Sequence, residues 1–555
     1  MLFALLSAAL AAPPTVDHLI DADLRAGRIT QGDALYLHVL THFSPLELPP
    51  AYLSAEVGGP SCLTGLMMDL KEGYHLLSPD QQAVVTRYLT PWAADFADPF
   101  PESQGPVAPP APMSDTCFGQ VGAKRYLSEH FSVEYDEGVP DATAEKFANA
   151  LEEGYDAMVT ELGWTRLNGD NKYYILAYIS EDSGDGAYTT VDYCQDGRSW
   201  MPYMVTYQNV FSGMGDWYED MAVHEFNHAQ QFNYGFAHEF WWWEATATYI
   251  QESAQPSNNW WSQYINGGFS TQPWVSMRAS SQSNAAQFWH MYGMAVWGFY
   301  LDEHVDGHEL VRSTWEQIIG DRGEYDTTME EVLTDLGYDF EALYLDFTIQ
   351  SGQMNYREHE LMDTPSRSGT ITALPAGGEP SSKERPYGLG QNYIDVSPSA
   401  ATEALPDLLF AFDGDPAGDF RVFLVGYNDR VPELVVPLEI IEGVGEGALE
   451  GFGAFDDVLV VITPMGDVDS SYSYGWSAEG ALVDPVEENP EDEKPTDEGE
   501  TIKGDRPLNI GGDCGCASGA GGGGAAALAL GVLALVARRR RRSGAPLTTS
   551  VNPAP

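Results

Sequence analysis

The stretch from residue 220 to residue 232, DMAVHEFNHAQQF, contains the pattern H-E-x-x-H at His224, Glu225 and His228. On a helix, residues four apart lie one turn above each other on the same face, so the two imidazoles can reach one metal ion. Glu225, beside the first histidine, is then placed to accept a proton from water as a general base. The stretch therefore predicts a helix that carries a metal-dependent hydrolytic site.

A third metal ligand is predicted at Glu244, which lies sixteen residues after His228 in the sequence FWWWEATATY of residues 240–249. This stretch favours a second helix, whose small side chains permit close packing on the first. Two histidines and one glutamate leave a fourth position open for water, which is the ligand set of a catalytic zinc site. His238 and Glu239 are rival ligands, but a loop position only one turn past the first helix would strain the geometry.

These two motifs resemble the gluzincins, whose consensus is H-E-x-x-H followed by a helix that starts near W-x-x-E-A/G-x-A. The resemblance implies a zinc metallopeptidase with an α+β core, built from a small mixed sheet and helices. It implies that His224, His228 and Glu244 bind the zinc and that Glu225 is the general base.

The resemblance implies two further features of the site. Gluzincins often place a tyrosine or histidine downstream of the third ligand to stabilise the oxyanion, and Tyr292 is the first candidate, with His290 as the alternative. Both residues also suit the core of an aromatic-rich amphipathic helix. The strand at residues 204–207 resembles the edge strand on which such enzymes bind an extended peptide.

Apolar periodicity predicts the elements on either side of the motifs. Helical spacing predicts helices over residues 16–29, 31–43, 78–89 and 141–162. Alternating or continuous apolar runs predict strands over residues 131–135, 172–179, 203–207, 408–412, 420–425 and 458–462. The last three runs, separated by Gly, Asp and Pro, indicate an antiparallel β-sandwich after the metallopeptidase core.

Shifts in composition divide the chain into seven predicted segments. They are residues 1–12 as a signal peptide, 13–97 as a helical N-terminal region, 98–117 as a Pro-rich linker, 118–362 as the metallopeptidase domain, 363–480 as the β-sandwich domain, 481–513 as an acidic linker and 514–555 as a sorting tail.

The tail combines Cys514-Gly515-Cys516, an uncharged span of 21 residues at 517–537 and the arginines 538–542. It resembles the myxobacterial C-terminal sorting signal, which implies export to the cell surface (outer membrane or cell envelope), membrane attachment through the tail, or later release. The span is long enough to cross a bilayer, and the arginines would stay on the cytoplasmic side. A small disulfide or a metal-binding pair is the alternative for the two cysteines.

The order of segments resembles an uncharacterised group of bacterial metalloproteases. A helical leader, a Pro-rich break, the protease core and a terminal β-domain carry this resemblance. It implies that residues 13–97 are a propeptide-like region. A permanent packing domain is the alternative, and the sequence leaves it open.

The charge and the cysteines limit the classes of partner. The chain has 83 Asp and Glu against 27 Lys and Arg, a formal net charge of −56. Such a field repels phosphate backbones, so we expect no nucleic-acid partner. Cys62, Cys117 and Cys194 allow at most one bridge among themselves, and the sequence does not select the pair.

The sequence thus predicts a zinc-dependent endopeptidase that acts on extracellular proteins or peptides at the cell surface. One alternative is a non-catalytic zinc-containing surface binding protein, in which Glu225 would have no purpose. The other is an aminopeptidase, which would need an acidic anchor for the substrate amine, and no G-x-M-E-N-like segment precedes the motif helix.

Overall fold

The computed structural model describes residues 15–53, 63–86, 115–182, 184, 186–195, 200–213, 215–235, 239–280, 285–317 and 327–481. Several predicted features lie outside these residues: the signal peptide, most of the Pro-rich linker, the acidic linker beyond residue 481, the sorting tail, Cys62, His238, Cys514 and Cys516. Among the residues that it describes, no helix combines the length and hydropathy needed to span a bilayer.

The described residues of the N-terminal region form four α-helices: α1 (Val16–Arg25), α2 (Gln31–Phe43), α3 (Thr64–Gly73) and α4 (Pro79–Val85). Helices α2 and α4 each begin with a capping box. In this motif the hydroxyl of the N-cap residue accepts a hydrogen bond from the backbone N–H of the third helical residue, N3, and the side chain of N3 accepts one from the backbone N–H of the N-cap residue. Thr30 and Asp33 form one box, and Ser78 and Gln81 form the other. The predicted helical character of this region is confirmed.

A five-stranded mixed sheet forms the centre of the next block, with β1 (Lys124–Leu127), β2 (Phe131–Tyr135), β3 (Ile175–Ser180), β4 (Ala187–Tyr193) and β5 (Trp200–Tyr207). The order across the sheet is β1-β2-β3-β5-β4, with β2, β3 and β5 parallel and the two outer strands antiparallel to their neighbours. Every residue of β2, β3 and β5 is buried, because helices cover the sheet.

The helices of this block are α5 (Asp141–Tyr155), α6 (Val210–Gly213), α7 (Trp217–Tyr234), α8 (Phe240–Ala254), α9 (Trp260–Gly267), α10 (Ala285–Gly293), α11 (Ala295–Tyr300), α12 (His308–Glu316), α13 (Met329–Asp335) and α14 (Phe340–Gly352). Helix α7 contacts α5, α8 and the edge strand β4. Helix α7 is therefore enclosed by other elements, and its residues from Asp220 to Tyr234 are buried.

The last block is a sandwich of two sheets, with β6 (Gly369–Ile371), β7 (Ala376–Gly378), β8 (Asn392–Val396), β9 (Asp407–Gly414), β10 (Phe420–Asn428), β11 (Val431–Pro437), β12 (Val444–Leu449), β13 (Asp457–Pro464) and β14 (Tyr474–Ala481). The sheet orders are β11-β10-β13-β8-β6 and β12-β9-β14-β7. Both sheets contribute to one apolar core, which confirms the strands predicted at 408–412, 420–425 and 458–462.

The prediction of a purely antiparallel sandwich is wrong at one strand. Strand β6 pairs with β8 in parallel, while the other strand pairs of the two sheets are antiparallel. The chain leaves β6, forms β7 in the opposite sheet and returns as β8 in the original direction. The molecule as a whole has the predicted α+β class.

A disulfide joins Cys117 to Cys194 across 77 residues of sequence. It ties the segment before β1 to the residue that follows β4. The single bridge that the sequence allowed is therefore formed by this pair.

Candidate metal centre

Helix α7 places the H-E-x-x-H motif deep inside the protein. It begins after Asp216, whose Oδ1 accepts a hydrogen bond from Trp260 Nε1 at 3.2 Å and does not cap the helix. It ends at Gly235, whose φ of 150° suits a residue without a side chain. From Asp220 to Tyr234 every residue is buried, so both polar and apolar faces of this helix are enclosed.

The three predicted ligands meet at one point. The rings of His224 and His228 lie 4.7 Å apart between centroids, as expected for residues one turn apart. Their Nε2 atoms lie 3.1 Å and 3.4 Å from Oε2 of Glu244, which projects from α8. Within the described ranges, these residues form the one group of His, Cys, Asp and Glu side chains close enough to share a metal ion, with ligand atoms within 4.8 Å of one another.

The rival ligand Glu239 points elsewhere. Its Oε1 pairs with Arg278, and its Oε2 accepts from the backbone N–H of Met329 at 2.9 Å. Both carboxylate oxygens are therefore committed to other parts of the chain. The structure places Glu244, and not Glu239, beside the two histidines.

The electrostatics of the group suit a cation. Burial opposes the charged form of Glu244, but the imidazoles of His228 and His224 outweigh it and lower the pKa of the carboxyl to about 2. Burial likewise opposes the charged form of His228, and Glu244 raises the pKa of that imidazole. Glu244 thus stays anionic, and its second oxygen, Oε1, is buried without a hydrogen-bond partner. Two imidazole nitrogens and one carboxylate fit a divalent transition metal, although they do not single out zinc.

A glutamine that sequence reasoning missed orients His228. Oε1 of Gln231 lies 2.6 Å from Nδ1 of His228 and accepts a hydrogen bond from Nδ1–H, so the ring is held with Nε2 on the side of Glu244. Nε2 of Gln231 donates in turn to Asn227 Oδ1 at 2.9 Å and to the Trp243 carbonyl at 3.0 Å. The glutamine is therefore fixed by both helices of the site.

Gln251 has the corresponding position beside His224. Its Nε2 lies 3.4 Å from Nδ1 of His224, and its Oε1 is buried without a partner. The same Nε2 donates to the carbonyl of Asp220 at 3.4 Å, so the amide lies between the backbone of α7 and the ring of His224. The signal for both glutamines in the sequence is their helical spacing, at three residues after His228 and seven after Glu244.

Glu225 faces the group without belonging to it. Its Oε2 accepts from Thr189 Oγ1 at 2.7 Å and from Thr64 Oγ1 at 3.3 Å. Its Oε1 is buried and has no hydrogen-bond partner. The negative charge of Glu225 also contributes to the raised pKa of His228, so the carboxylate lies within electrostatic reach of the metal ligands. One oxygen is thus held in place, and the other is available as a base.

Of the two aromatic candidates, the structure brings only Tyr292 to the site. Its ring stacks on His224 at 6.0 Å between centroids with an interplanar angle of 23°. His290 lies in the core beside Phe269, and burial lowers the pKa of its imidazole to about 3. Tyr292 therefore remains the candidate for oxyanion stabilisation.

The predicted peptide-binding edge strand is wrong. Residues 204–207 belong to β5, which lies between β3 and β4 and has both of its edges paired. The edge strand beside α7 is β4, which comes before β5 in the chain and which the sequence analysis did not predict as a strand. Thr189 of β4 contacts Glu225, so this edge lies at the site.

No known protein-family model matches this chain. No curated protein matches it at a significant level.

Proposed function

We propose that the protein is a zinc-dependent endopeptidase of gluzincin type that acts on proteins or peptides outside the cell. The observation that carries the proposal is the buried group of His224, His228 and Glu244 with the carboxylate of Glu225 beside it. A metal that serves only the structure needs the ligands but gains nothing from an adjacent carboxylate with an uncommitted oxygen. Glu225 therefore favours an enzyme over a non-catalytic surface protein.

We take the metal to be zinc, because catalytic zinc sites use this set of donors. Two neutral imidazoles and one carboxylate would be the donors of a catalytic zinc site with one open position, and the side chains of Gln231 and Gln251 lie behind the imidazoles. Bound zinc would supply a Lewis acid that polarises water and the scissile carbonyl. The residues of the chain would supply the rest of the chemistry.

Each residue then has a defined task. Oε1 of Glu225 accepts a proton from the attacking water and returns it to the leaving amine, while Thr189 holds Oε2 in place. Tyr292, stacked on His224, is positioned to donate a hydrogen bond to the oxyanion of the tetrahedral intermediate. Gln231 and Gln251 keep the two imidazoles in the orientation that points Nε2 at Glu244.

Export is the second part of the proposal. The apolar residues 2–12, the acidic stretch after the sandwich and the sorting-like tail support a protein exported and then held at the cell surface. Fractionation of cells that express the full chain, and a form without residues 514–555, tests this location. The full chain is expected in the envelope and the shortened chain in the medium, whereas full-length protein in the cytosol would contradict export.

The test of the activity is metal-dependent hydrolysis by the full chain. Purified protein is expected to contain one zinc per chain by elemental analysis, since one ligand group lies among the described residues. It should cleave fluorescein-labelled casein at internal bonds, lose that activity to a chelator and regain it with zinc. Hydrolysis that is indifferent to the chelator would contradict the proposal, and release of single N-terminal residues would favour the aminopeptidase.

A further inference from the structure

The N-terminal segment reaches the edge of the sheet beside the general base. The backbone N–H of Leu63 donates to the carbonyl of Ala187 at 2.6 Å. The hydroxyl of Thr64 accepts from the backbone N–H of Thr189 at 2.9 Å and donates to Oε2 of Glu225 at 3.3 Å. The start of α3 thus contacts both the edge strand β4 and the residue with the central chemical task.

These contacts use the groups that an extended peptide would use. Backbone groups of successive residues point to opposite sides of a strand, so Ala187 and Thr189, two residues apart, share the edge that faces away from β5. A peptide added to that edge would donate an N–H to the Ala187 carbonyl and accept from the Thr189 N–H. The backbone N–H of Leu63 takes the place of the peptide's donor to the Ala187 carbonyl, and the Thr64 hydroxyl takes the place of the peptide's acceptor from the Thr189 N–H.

Apolar packing holds α3 in this position. Leu66, Met67 and Leu70 are 3%, 1% and 0% exposed, and they join the same hydrophobic cluster as Ala187 and Val191 of β4. Burial of three large side chains on a helix of ten residues makes the docked state strongly preferred. The segment is therefore a firmly docked occupant of the edge.

The consequence for the site is closure. His224 and Glu225 are 4% and 1% exposed, and His228 and Glu244 are fully buried. A protein substrate needs both the strand edge and the base, and α3 is in contact with both. Hydrolysis of a protein therefore requires that α3 first leave β4.

We propose that residues 63–73 are an autoinhibitory element that imitates the bound substrate and keeps the site closed. The inference rests on the proposed function, because it names the regulation of that same site. It selects the propeptide-like reading of the N-terminal region over permanent packing, for the segment that carries α3. Weakening the docking of α3 then raises activity, whereas weakening a permanent packing element would lower it.

Two variants of the full chain test the element, with one matched control. Leu70→Ala removes a buried side chain of α3, and Thr64→Val removes the hydroxyl between Thr189 and Glu225 while keeping the shape. Leu40→Ala removes the same kind of side chain from α2, where Leu40 packs in a separate cluster with α1 residues. The three variants therefore separate loosening of α3 from loosening of the N-terminal region in general.

The readouts are kcat/KM on fluorescein-labelled casein and the hydrogen-exchange rate of the β4 amides, including Thr189. We expect both to rise about tenfold or more in Leu70→Ala, because each is limited by the fraction of molecules with α3 undocked. Thr64→Val should raise both by a few-fold, roughly the effect of one hydrogen bond. Leu40→Ala should leave both within about twofold of the parent, as expected for a site outside the docked contact.

The outcomes separate the two proposals. Faster β4 exchange in Leu70→Ala, with no hydrolysis by any variant, would support the autoinhibitory element and contradict the proposed peptidase activity. If the parent and both α3 variants have equal kcat/KM and equal exchange rates, and their hydrolysis is sensitive to a chelator, the peptidase proposal is supported and the autoinhibitory element is overturned. A fall in kcat/KM in Leu70→Ala, or an equal rise in Leu40→Ala, also overturns it.

Discussion

The α7–α8 helix pair and the core of the sandwich both bury large apolar side chains, but they differ in the polar groups that they enclose. The two helices carry many buried polar atoms without a hydrogen-bond partner, among them Glu225 Oε1, both amide atoms of Gln230, Glu244 Oε1, Thr248 Oγ1 and Gln251 Oε1. Among the described strands of the sandwich, Asn392 Oδ1 is the one such atom. Unpaired buried polar groups cost stability, so their concentration in one place indicates a site kept for chemistry.

This difference in buried polar groups predicts which property a substitution in each region should change. In the sandwich, apolar residues alternate along the strands and face a shared core, so changes there should alter stability and leave the metal alone. On α7 and α8, changes of polar residues should alter the metal or the chemistry and have small or even favourable effects on stability. The following predictions examine this contrast, from the largest effect to the smallest.

The first prediction concerns the sandwich core. Phe410 is fully buried on β9 and stacks on Trp476 at 5.9 Å between ring centroids. Phe410→Ala should lower the free energy of unfolding by about 3–5 kcal/mol, because it removes a large apolar side chain and leaves a cavity. Urea unfolding measures the loss, and the zinc content of the folded protein should stay the same. A loss of zinc from the folded variant would break the contrast between the two regions.

The second prediction concerns the ligand assignment on α8. Glu244→Ala removes a proposed direct ligand and should weaken zinc binding by more than about 100-fold, since loss of an outer partner alone costs about 10–100-fold. Glu239→Ala is the matched control, because its carboxylate pairs with Arg278 and Met329 instead. Competition with a zinc-sensing dye gives both affinities. Zinc loss in the Glu239 variant alone would show that the wrong glutamate has been assigned.

The third prediction separates two neighbouring glutamines of α7. Gln231→Leu should weaken zinc binding about 10-fold to 100-fold, because Gln231 Oε1 holds Nδ1 of His228 at 2.6 Å. Gln230→Leu should leave the affinity unchanged and raise the free energy of unfolding by about 1 kcal/mol, because its buried amide has no partner. The same dye competition and urea unfolding test the pair. Equal zinc affinities in the two variants would contradict the orienting task of Gln231.

The fourth prediction extends the comparison to the N-terminal helices, where a buried charge is paired. Burial opposes the charged form of His38, but hydrogen bonds to Asp17 and Asp21 outweigh it and raise the pKa of the imidazole to about 9. The imidazolium therefore stabilises the packing of α1 on α2. This contribution to the free energy of unfolding is fully present below pH 6.5, the ordinary pKa of histidine, and is lost as the pH rises through about 9. Unfolding of the parent and His38→Gln should differ at pH 6 and converge near pH 10, while a constant difference would rule out the paired charge.

Much of the site could be predicted from the sequence, because its decisive contacts are set by helical spacing. His224 and His228 lie four residues apart, and Glu244 lies near the start of a second helix whose small residues allow close packing. The α+β class, the capped helices and three sandwich strands also follow from local patterns. The structure separates the alternatives from the site, because Glu239 pairs with Arg278 and Met329, and His290 packs beside Phe269 in the core.

The contacts that the sequence could not supply join residues far apart in the chain. Thr64 reaches Glu225 across 161 residues, and Thr189 reaches it across 36. No local periodicity indicates such a contact, because threonine is common in strands and at helix starts. The choice of β5 as the edge failed for the same reason, since strand order depends on long-range pairing.

The most direct test of the account is Glu225→Gln in the Leu70→Ala background, where the site should be open. Gln keeps the shape but cannot accept the proton, and Glu225 is not a metal ligand. We predict that the double variant contains as much zinc as Leu70→Ala and hydrolyses labelled casein at least about 100-fold more slowly. Hydrolysis at the rate of Leu70→Ala, with zinc content intact, would contradict the assignment of Glu225 as the general base of a metallopeptidase.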